Sequence, residues 1–130
     1  MILDTSFLLD LIDDDPAATT LAEEFESTGV PQRVPAQVVY ELYVGAGYTD
    51  TPKGEILVLD SVLAARPLVE TTGEIAKKAG RIDGELRREG ERIPPNGLVV
   101  GATGLVHDES VVTRNTDDFE RVPGLKVTTY

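Results

Sequence analysis

The sequence predicts an α/β fold in which a short, mostly parallel sheet is flanked by helices. Short apolar runs (Ile2-Leu3, Val30 to Val34, Leu68-Val69, Ser110 to Thr113, Lys126 to Thr129) alternate with segments whose apolar residues recur at helical spacing. That alternation is the signature of parallel strands joined by helical crossovers. The chain has 130 residues, enough for one domain with a real core, so residues 1–130 are read as a single domain.

Taken in order, Ile2 and Leu3 end a buried strand, and Phe7, Leu8, Leu11 and Ile12 follow at helical spacing. Asp4-Thr5-Ser6 is therefore a tight strand-to-helix junction. A junction at a strand's carboxyl end aims side chains into the crevice where open α/β sheets bind ligands. The alternative is that Asp4 or Ser6 only caps the helix. Asp15, with Pro16 after it, caps a second helix over Ala17 to Thr28, with Leu21 and Phe25 inward and Gly29 closing it. Ala36 to Ala46 presents Val38, Val39, Leu42 and Tyr43 on one apolar face, with Glu41 embedded among them. That acid is either solvated or turned into a pocket. Lys53 to Ala65 forms a further helix before the strand around Leu68 to Glu70.

Thr71 or Thr72 caps a helix from Gly73 to about Glu89, stopped by Gly90, whose inward stripe is Ile75, Ala79, Ile82 and Leu86. Its other face carries Lys77, Lys78, Arg81, Arg87 and Arg88, with Arg92 beyond. This basic face is either an edge for phosphates or an ordinary helix surface paired with Glu85 and Glu89. Asn96 is the expected cap of an apolar helix from Gly97 to about Val106. Gly97, Gly101 and Gly104 each cost that helix about 1 kcal/mol if interior, unless close packing compensates. Arg114-Asn115-Thr116 turns out of the next strand, and Asp117-Asp118-Phe119 starts a helical turn.

Composition narrows the chemistry. There is no cysteine and one histidine, His107, read as simply exposed near a helix end, so thiolate and His-rich metal sites are excluded. A metal would be held by carboxylates, which favours Mg²⁺ or Mn²⁺. The 23 acidic and 12 basic residues give a net charge of −11, which argues against a general electrostatic grip on nucleic acid. Acid-rich, lysine-poor surfaces suit a salt-rich, halophilic cytoplasm where self-repulsion is screened. No run approaches the roughly 20 apolar residues of a membrane span, and no leader pattern opens the chain, so a cytoplasmic protein with no membrane partner is expected.

Three polar points then share one logic: Asp4, Glu41 and the Asn115 to Asp118 turn. Carboxylates brought from distant parts of an α/β chain suit hard divalent cations that bridge phosphate oxygens. Here the sequence resembles the PIN-domain family and, within it, the VapC-type toxins of prokaryotic toxin–antitoxin pairs. The resemblance spans nearly the whole chain. It is carried by Ile2-Leu3-Asp4-Thr5-Ser6, Val38-Val39-Tyr40-Glu41-Leu42, Leu98-Val99-Val100-Gly101-Ala102-Thr103, and Val112 to Phe119 followed by Arg121-Val122-Pro123-Gly124-Leu125.

The resemblance implies a three-layer PIN-like fold and a Mg²⁺- or Mn²⁺-dependent endoribonuclease, usually dimeric, restrained by a small VapB-like antitoxin. It assigns Asp4, Glu41 and Asp118 as the acids that hold metal, with Ser6, Thr113 and Asn115 completing the catalytic pocket. Relatives of this type often cut structured RNA such as transfer RNA. The apolar faces of the helices around residues 40 and 60, and the glycine-rich helix, fit the implied homodimer. One departure stands out: the family's acid at the start of the apolar helix falls on Gly97. Losing one carboxylate should weaken metal affinity and rate, so the alternative is a catalytically impaired PIN-fold protein that binds antitoxin or RNA. A phosphoryl-transfer domain with Asp4 as nucleophile fits less well, because haloacid-dehalogenase-like phosphatases carry a second aspartate where this chain has Ser6.

Overall fold

The computed structural model describes residues 1–130. Its elements in order are β1 (Ile2–Leu3), α1 (Thr5–Ile12), α2 (Pro16–Thr28), β2 (Val34–Pro35), α3 (Ala36–Tyr48), α4 (Pro52–Ala64), β3 (Leu68–Val69), α5 (Gly73–Arg88), α6 (Pro95–His107), β4 (Val111–Val112), α7 (Thr116–Glu120) and β5 (Val127–Thr128). β1 pairs with β4 and β4 with β5, while β2 pairs with β3, every pair being parallel. A parallel bridge between Ile2 and Arg33 joins the two ribbons, giving the order β3-β2-β1-β4-β5. The sheet is thus wholly parallel, and helices cover it as the expected three-layer arrangement requires.

Local chemistry sets several element ends. Asp15 Oδ2 accepts the Ala18 amide at 3.0 Å, and Pro16 needs no amide partner at the first helical position. Gly29 closes α2 at φ 72°, a left-handed conformation that costs glycine nothing. Thr72 Oγ1 accepts the Ile75 amide at 3.3 Å and opens α5. Two expectations are corrected. The second strand lies at Val34–Pro35, beyond Pro31, where the Val34 amide donates to Pro67 O at 2.9 Å. Asn96 does not cap α6: Pro94 occupies that place, Pro95 begins the helix, and the Asn96 side chain instead accepts from Gln37 Nε2 at 3.0 Å.

The main core gathers β1, β2, β4 and the inner faces of α1 to α4, with Ile2, Leu3, Phe7, Leu8, Val38, Val111 and Val112 sealed from solvent. A second core lies between α5 and α6, built on the expected stripe of Ile75, Ala79, Ile82 and Leu86 against Leu98 and Ala102. No helix is long and apolar enough to cross a membrane. This packing fixes the carboxyl ends of β1 and β4 side by side, with α3 crossing nearby. The strand order reverses there, β2 lying on one side of β1 and β4 on the other, which is the place where open parallel sheets leave a crevice.

Candidate active site at the ends of β1 and β4

Asp4 follows β1 directly, and its amide donates to Val112 O at 3.0 Å, which pins its backbone to β4. Its side chain makes no capping bond to α1, so the capping role is overturned. Instead Asp4 Oδ2 accepts the Thr113 hydroxyl at 2.7 Å and the Ser6 hydroxyl at 3.2 Å. Asp4 is 8% exposed and Thr113 is fully buried, so this carboxylate sits in a lined recess. A carboxylate removed from water costs free energy unless hydrogen-bonded, and the two hydroxyls supply that compensation on one oxygen only.

Glu41 reaches the same recess from the second turn of α3. Thr5, the first residue of α1, donates its hydroxyl to Glu41 Oε2 at 3.2 Å. The Glu41 carboxyl is pushed above its ordinary pKa, first by burial and then by the negative Asp4, with the Thr5 bond opposing. Glu41 is therefore turned into the site and not onto a solvated helix face. Gln37 lies one turn before it, and its bond to Asn96 ties α3 to the first turn of α6 beside Gly97.

Asn115 and Asp118 form the outer wall. Asn115 Nδ2 donates to Asp118 Oδ2 at 3.0 Å, and Arg121 Nη2 donates to Asp118 Oδ1 at 2.8 Å and to Arg92 O at 2.9 Å. Both Asp118 oxygens are thus engaged, one of them by a cation. The sequence groups Asp4, Glu41 and Asp118 as one ligand set, yet no three acidic or histidine side chains in the structure converge closely enough to hold a metal. On the α6 side, Gly97, where the resemblance puts the family's acid, contributes no carboxylate. A Cβ added there would meet nothing nearer than Ile93 Cγ2 at 3.5 Å.

The other singled-out residues take ordinary roles. His107 is exposed. On α5, Arg81 pairs with Glu85 and Arg87 with Asp83 in place of Glu89, as i, i+4 neighbours on a helix surface do. Lys77, Lys78 and Arg81 line a shallow depression of about 410 Å³ with Glu74, Leu105 and Val106, and no residue of the acidic recess borders it.

Residues 1–125 match the PIN domain. The chain belongs to the PIN-domain family. Curated relatives include the tRNA(fMet)-specific endonuclease VapC of Shigella flexneri, 26% identical over 125 residues that span 96% of this chain and 93% of the relative. Ribonuclease VapC19 of Mycobacterium tuberculosis is also 26% identical over 125 residues, 96% of each chain. Among solved structures, VapBC2 from Rickettsia felis bound to a promoter DNA fragment matches with a TM-score of 0.91 at 20% identity, over 99% of this chain and 97% of that one. DNA-bound VapBC from Salmonella typhimurium matches at 0.89 and 23% identity, over 98% and 96%. The chain therefore has the PIN fold from end to end, and its acidic recess occupies the crevice that this fold leaves at the β1–β4 edge.

Further residues bond to the side chains named above: Thr5 to Glu41, Gln37 to Asn96, and the Arg114 amide to Ser6, with Arg114 and Tyr130 both on Asp10. In the sequence Thr5 belongs only to the junction and Arg114 only to the strand-end turn, while Gln37, Asp10 and Tyr130 stand outside the motifs. Thr5 and Gln37 flank named positions closely enough that helical spacing could have found them. Asp10, Arg114 and Tyr130 meet across 104 and 120 positions of chain, beyond the reach of any local signal.

Proposed function

We propose that this PIN-domain protein is a divalent-metal-dependent endoribonuclease toxin of the VapC type, held inactive in the cell by a small VapB-like antitoxin. The observation that carries the reading is the state of Asp4: one carboxylate oxygen saturated by two hydroxyls, the other accepting no hydrogen bond, with Glu41 alongside. The ionised Asp4 helps to raise the Glu41 pKa, and a divalent cation held by both carboxylates would relieve their repulsion. Hard oxygen donors of this kind fit Mg²⁺ or Mn²⁺, which needs only one or two protein carboxylates and keeps several waters. Asp4 and Glu41 would hold it. Asp118 stands further out, ready to engage once Arg121 or Asn115 releases an oxygen.

When bound, the metal supplies charge neutralisation at the scissile phosphate and a more acidic water. The chain's own part is geometric. Thr5 fixes the Glu41 carboxylate so that it can orient and accept a proton from an attacking water. Ser6 and Thr113 hold the Asp4 plane, and Asn115 presents an amide to the substrate side. Arg121, held by Asp118, brings positive charge to the outer wall, where a phosphate would approach.

The proposed substrate is RNA, transfer RNA among the candidates, since the named relatives include a tRNA(fMet)-specific endonuclease. The antitoxin reading draws on structural relatives that are VapBC assemblies. A homodimer is proposed on the exposed Tyr40, Val44 and Tyr48, which repeat every four residues along α3, with Leu57 exposed on α4. Purified protein should cleave a mixed transfer-RNA pool with Mn²⁺ or Mg²⁺, lose cleavage in chelator, and lose it in Asp4→Asn. Metal-independent cleavage, or cleavage surviving Asp4→Asn, would refute the assignment.

Gly97 favours a second reading, a PIN-fold protein that binds its partner with little catalysis. The space beside Gly97 accepts a side chain, so Gly97→Asp should fold and bring a third carboxylate to Asp4 and Glu41. Silent wild-type protein with an active Gly97→Asp variant would establish the second reading. Equal rates would show that the position contributes nothing.

A further inference from the structure

Ser6 and Thr113 both reach Asp4 Oδ2, and each also accepts a backbone amide from the turn after β4. A hydroxyl has one proton to give and two acceptor positions. Ser6 Oγ accepts the Arg114 amide at 3.0 Å, and Thr113 Oγ1 accepts the Asn115 amide at 2.9 Å. With one acceptor position on each hydroxyl filled by an amide, both protons lie within reach of Asp4 Oδ2, while the two hydroxyl oxygens also stand 3.2 Å apart so that either can donate to the other, and Oδ1 accepts no hydrogen bond. The polarity of the site thus depends on the 113–115 turn staying against α1.

A buried acid holds it there. Asp10 lies one helical turn after Ser6 on α1 and is only 7% exposed. Arg114 Nη1 donates to Asp10 Oδ1 at 2.8 Å, and the Tyr130 hydroxyl donates to Asp10 Oδ2. The Tyr130 ring meets Phe7 edge-on, with centroids 5.2 Å apart. Both oxygens of a carboxylate that would be costly to bury alone are therefore paired, and the pairs tie together α1, the β4–α7 turn and the end of the chain after β5. Arg114 is the link: its guanidinium holds Asp10 while its amide holds Ser6.

We propose that Asp10, Arg114 and Tyr130 form a positioning clamp, in which Asp10 draws Arg114 across α1 so that the Arg114 amide stays on Ser6 and the Ser6 proton stays on Asp4. Its effect on cleavage rests on the nuclease reading above, whereas the clamp itself is tested without RNA or metal. In the free protein, Asp10→Asn should speed hydrogen exchange of the Arg114 amide by about tenfold or more, with the amides of β1 and α6 unchanged. Unchanged Arg114 exchange in a folded variant overturns the clamp.

The second arm is a double-mutant cycle on cleavage. Asp10→Asn should lower kcat about tenfold with KM within about twofold, the size of effect expected when a group that orients a metal-site residue is lost. It should cost nothing further in a Ser6→Ala background, because both changes cut the same chain of bonds. Additive losses would show that Asp10 acts on general stability and overturn the clamp. A raised KM in Arg114→Ala with Asp10→Asn inert would also overturn it, placing Arg114 on the substrate. Arg114→Lys keeps both the cation and the amide and should retain kcat within about twofold. Tyr130→Phe removes a single hydroxyl and repeats the exchange test should Asp10→Asn fail to fold. Protein that cleaves nothing defeats the nuclease reading and leaves the exchange arm to decide the clamp.

Discussion

Glu41 shows how one side chain can serve a site at the expense of the fold. Its carboxyl is half-buried beside Asp4, and burial first, then Asp4, raise its pKa above the usual 4.5. A carboxyl with a raised folded pKa binds its proton more tightly in the native state than in the unfolded chain. Stability therefore falls as pH rises from the unfolded value through the folded one, and at neutral pH the ionised group is a net cost. Glu41→Gln keeps the shape, and its amide oxygen can still accept from Thr5. The variant should melt at a higher temperature than wild type at pH 7, with the gap closing below the unfolded carboxyl value of about 4, while cleavage is lost. A lower melting temperature at pH 7 would mean that the Thr5 bond outweighs burial and repulsion.

At the scale of elements, α6 sits where it does because it lacks side chains on one side. A Cβ on Gly104 would stand 2.9 Å from Glu109 O, 2.9 Å from Leu125 Cδ1 and 3.0 Å from Val111 Cγ2, whereas one on Gly80 of α5 would meet nothing within 4 Å. Alanine gains about 1 kcal/mol over glycine in a helix interior. Gly80→Ala should realise that gain and raise the unfolding midpoint in urea. Gly104→Ala should lower it, because forcing α6 off β4 costs about 1–3 kcal/mol of overpacking. Equal shifts in the two variants would remove close packing as the reason for Gly104. The glycine-rich run was legible in the sequence as a helix in need of close packing, but not the surface it meets. The same line divides the rest of the fold. Asp15, Gly29 and Thr72 act on neighbours within a few residues, so their caps could be read from local order. Asn96 misled because Pro94 and Pro95 fix the helix start by backbone geometry before a side-chain cap can form. At the site, Asp4 and Glu41 stand out as acids within apolar runs and Asn115 to Asp118 as a polar turn after a strand, while the roles of Ser6 and Thr113 come from the family resemblance. The pairing of Asp10 with Arg114 and Tyr130 does not stand out, because it exists only once three separate elements have docked.

At the scale of the whole molecule, the charge balance acts against the compact state. A net charge of −11 on 130 residues leaves most acids without a basic partner, and they are spread along the chain instead of gathered in a tail. Folding brings those charges together, so self-repulsion opposes it at low ionic strength. The Debye length falls from about 10 Å at 0.1 M salt to about 3 Å at 1 M, which removes repulsion between all but adjacent charges. Exposed ion pairs such as Arg81–Glu85 and Arg87–Asp83 also weaken in salt, but each is worth so little that relief of repulsion should win. Raising KCl from about 0.1 M to about 2 M should therefore raise the melting temperature. Salt also strengthens apolar burial, so the rise alone does not isolate charge. Asp13→Asn/Asp14→Asn separates the two. It removes two charges from the turn before α2, spares the Asp15 cap, and suits the positive φ of 55° at Asp14, which asparagine tolerates. If repulsion is the cost, this variant should be the more stable protein at low salt and should gain less from KCl than wild type does. Parallel salt curves for the two proteins would assign the whole effect to apolar burial and leave the acidic surface without a role in stability.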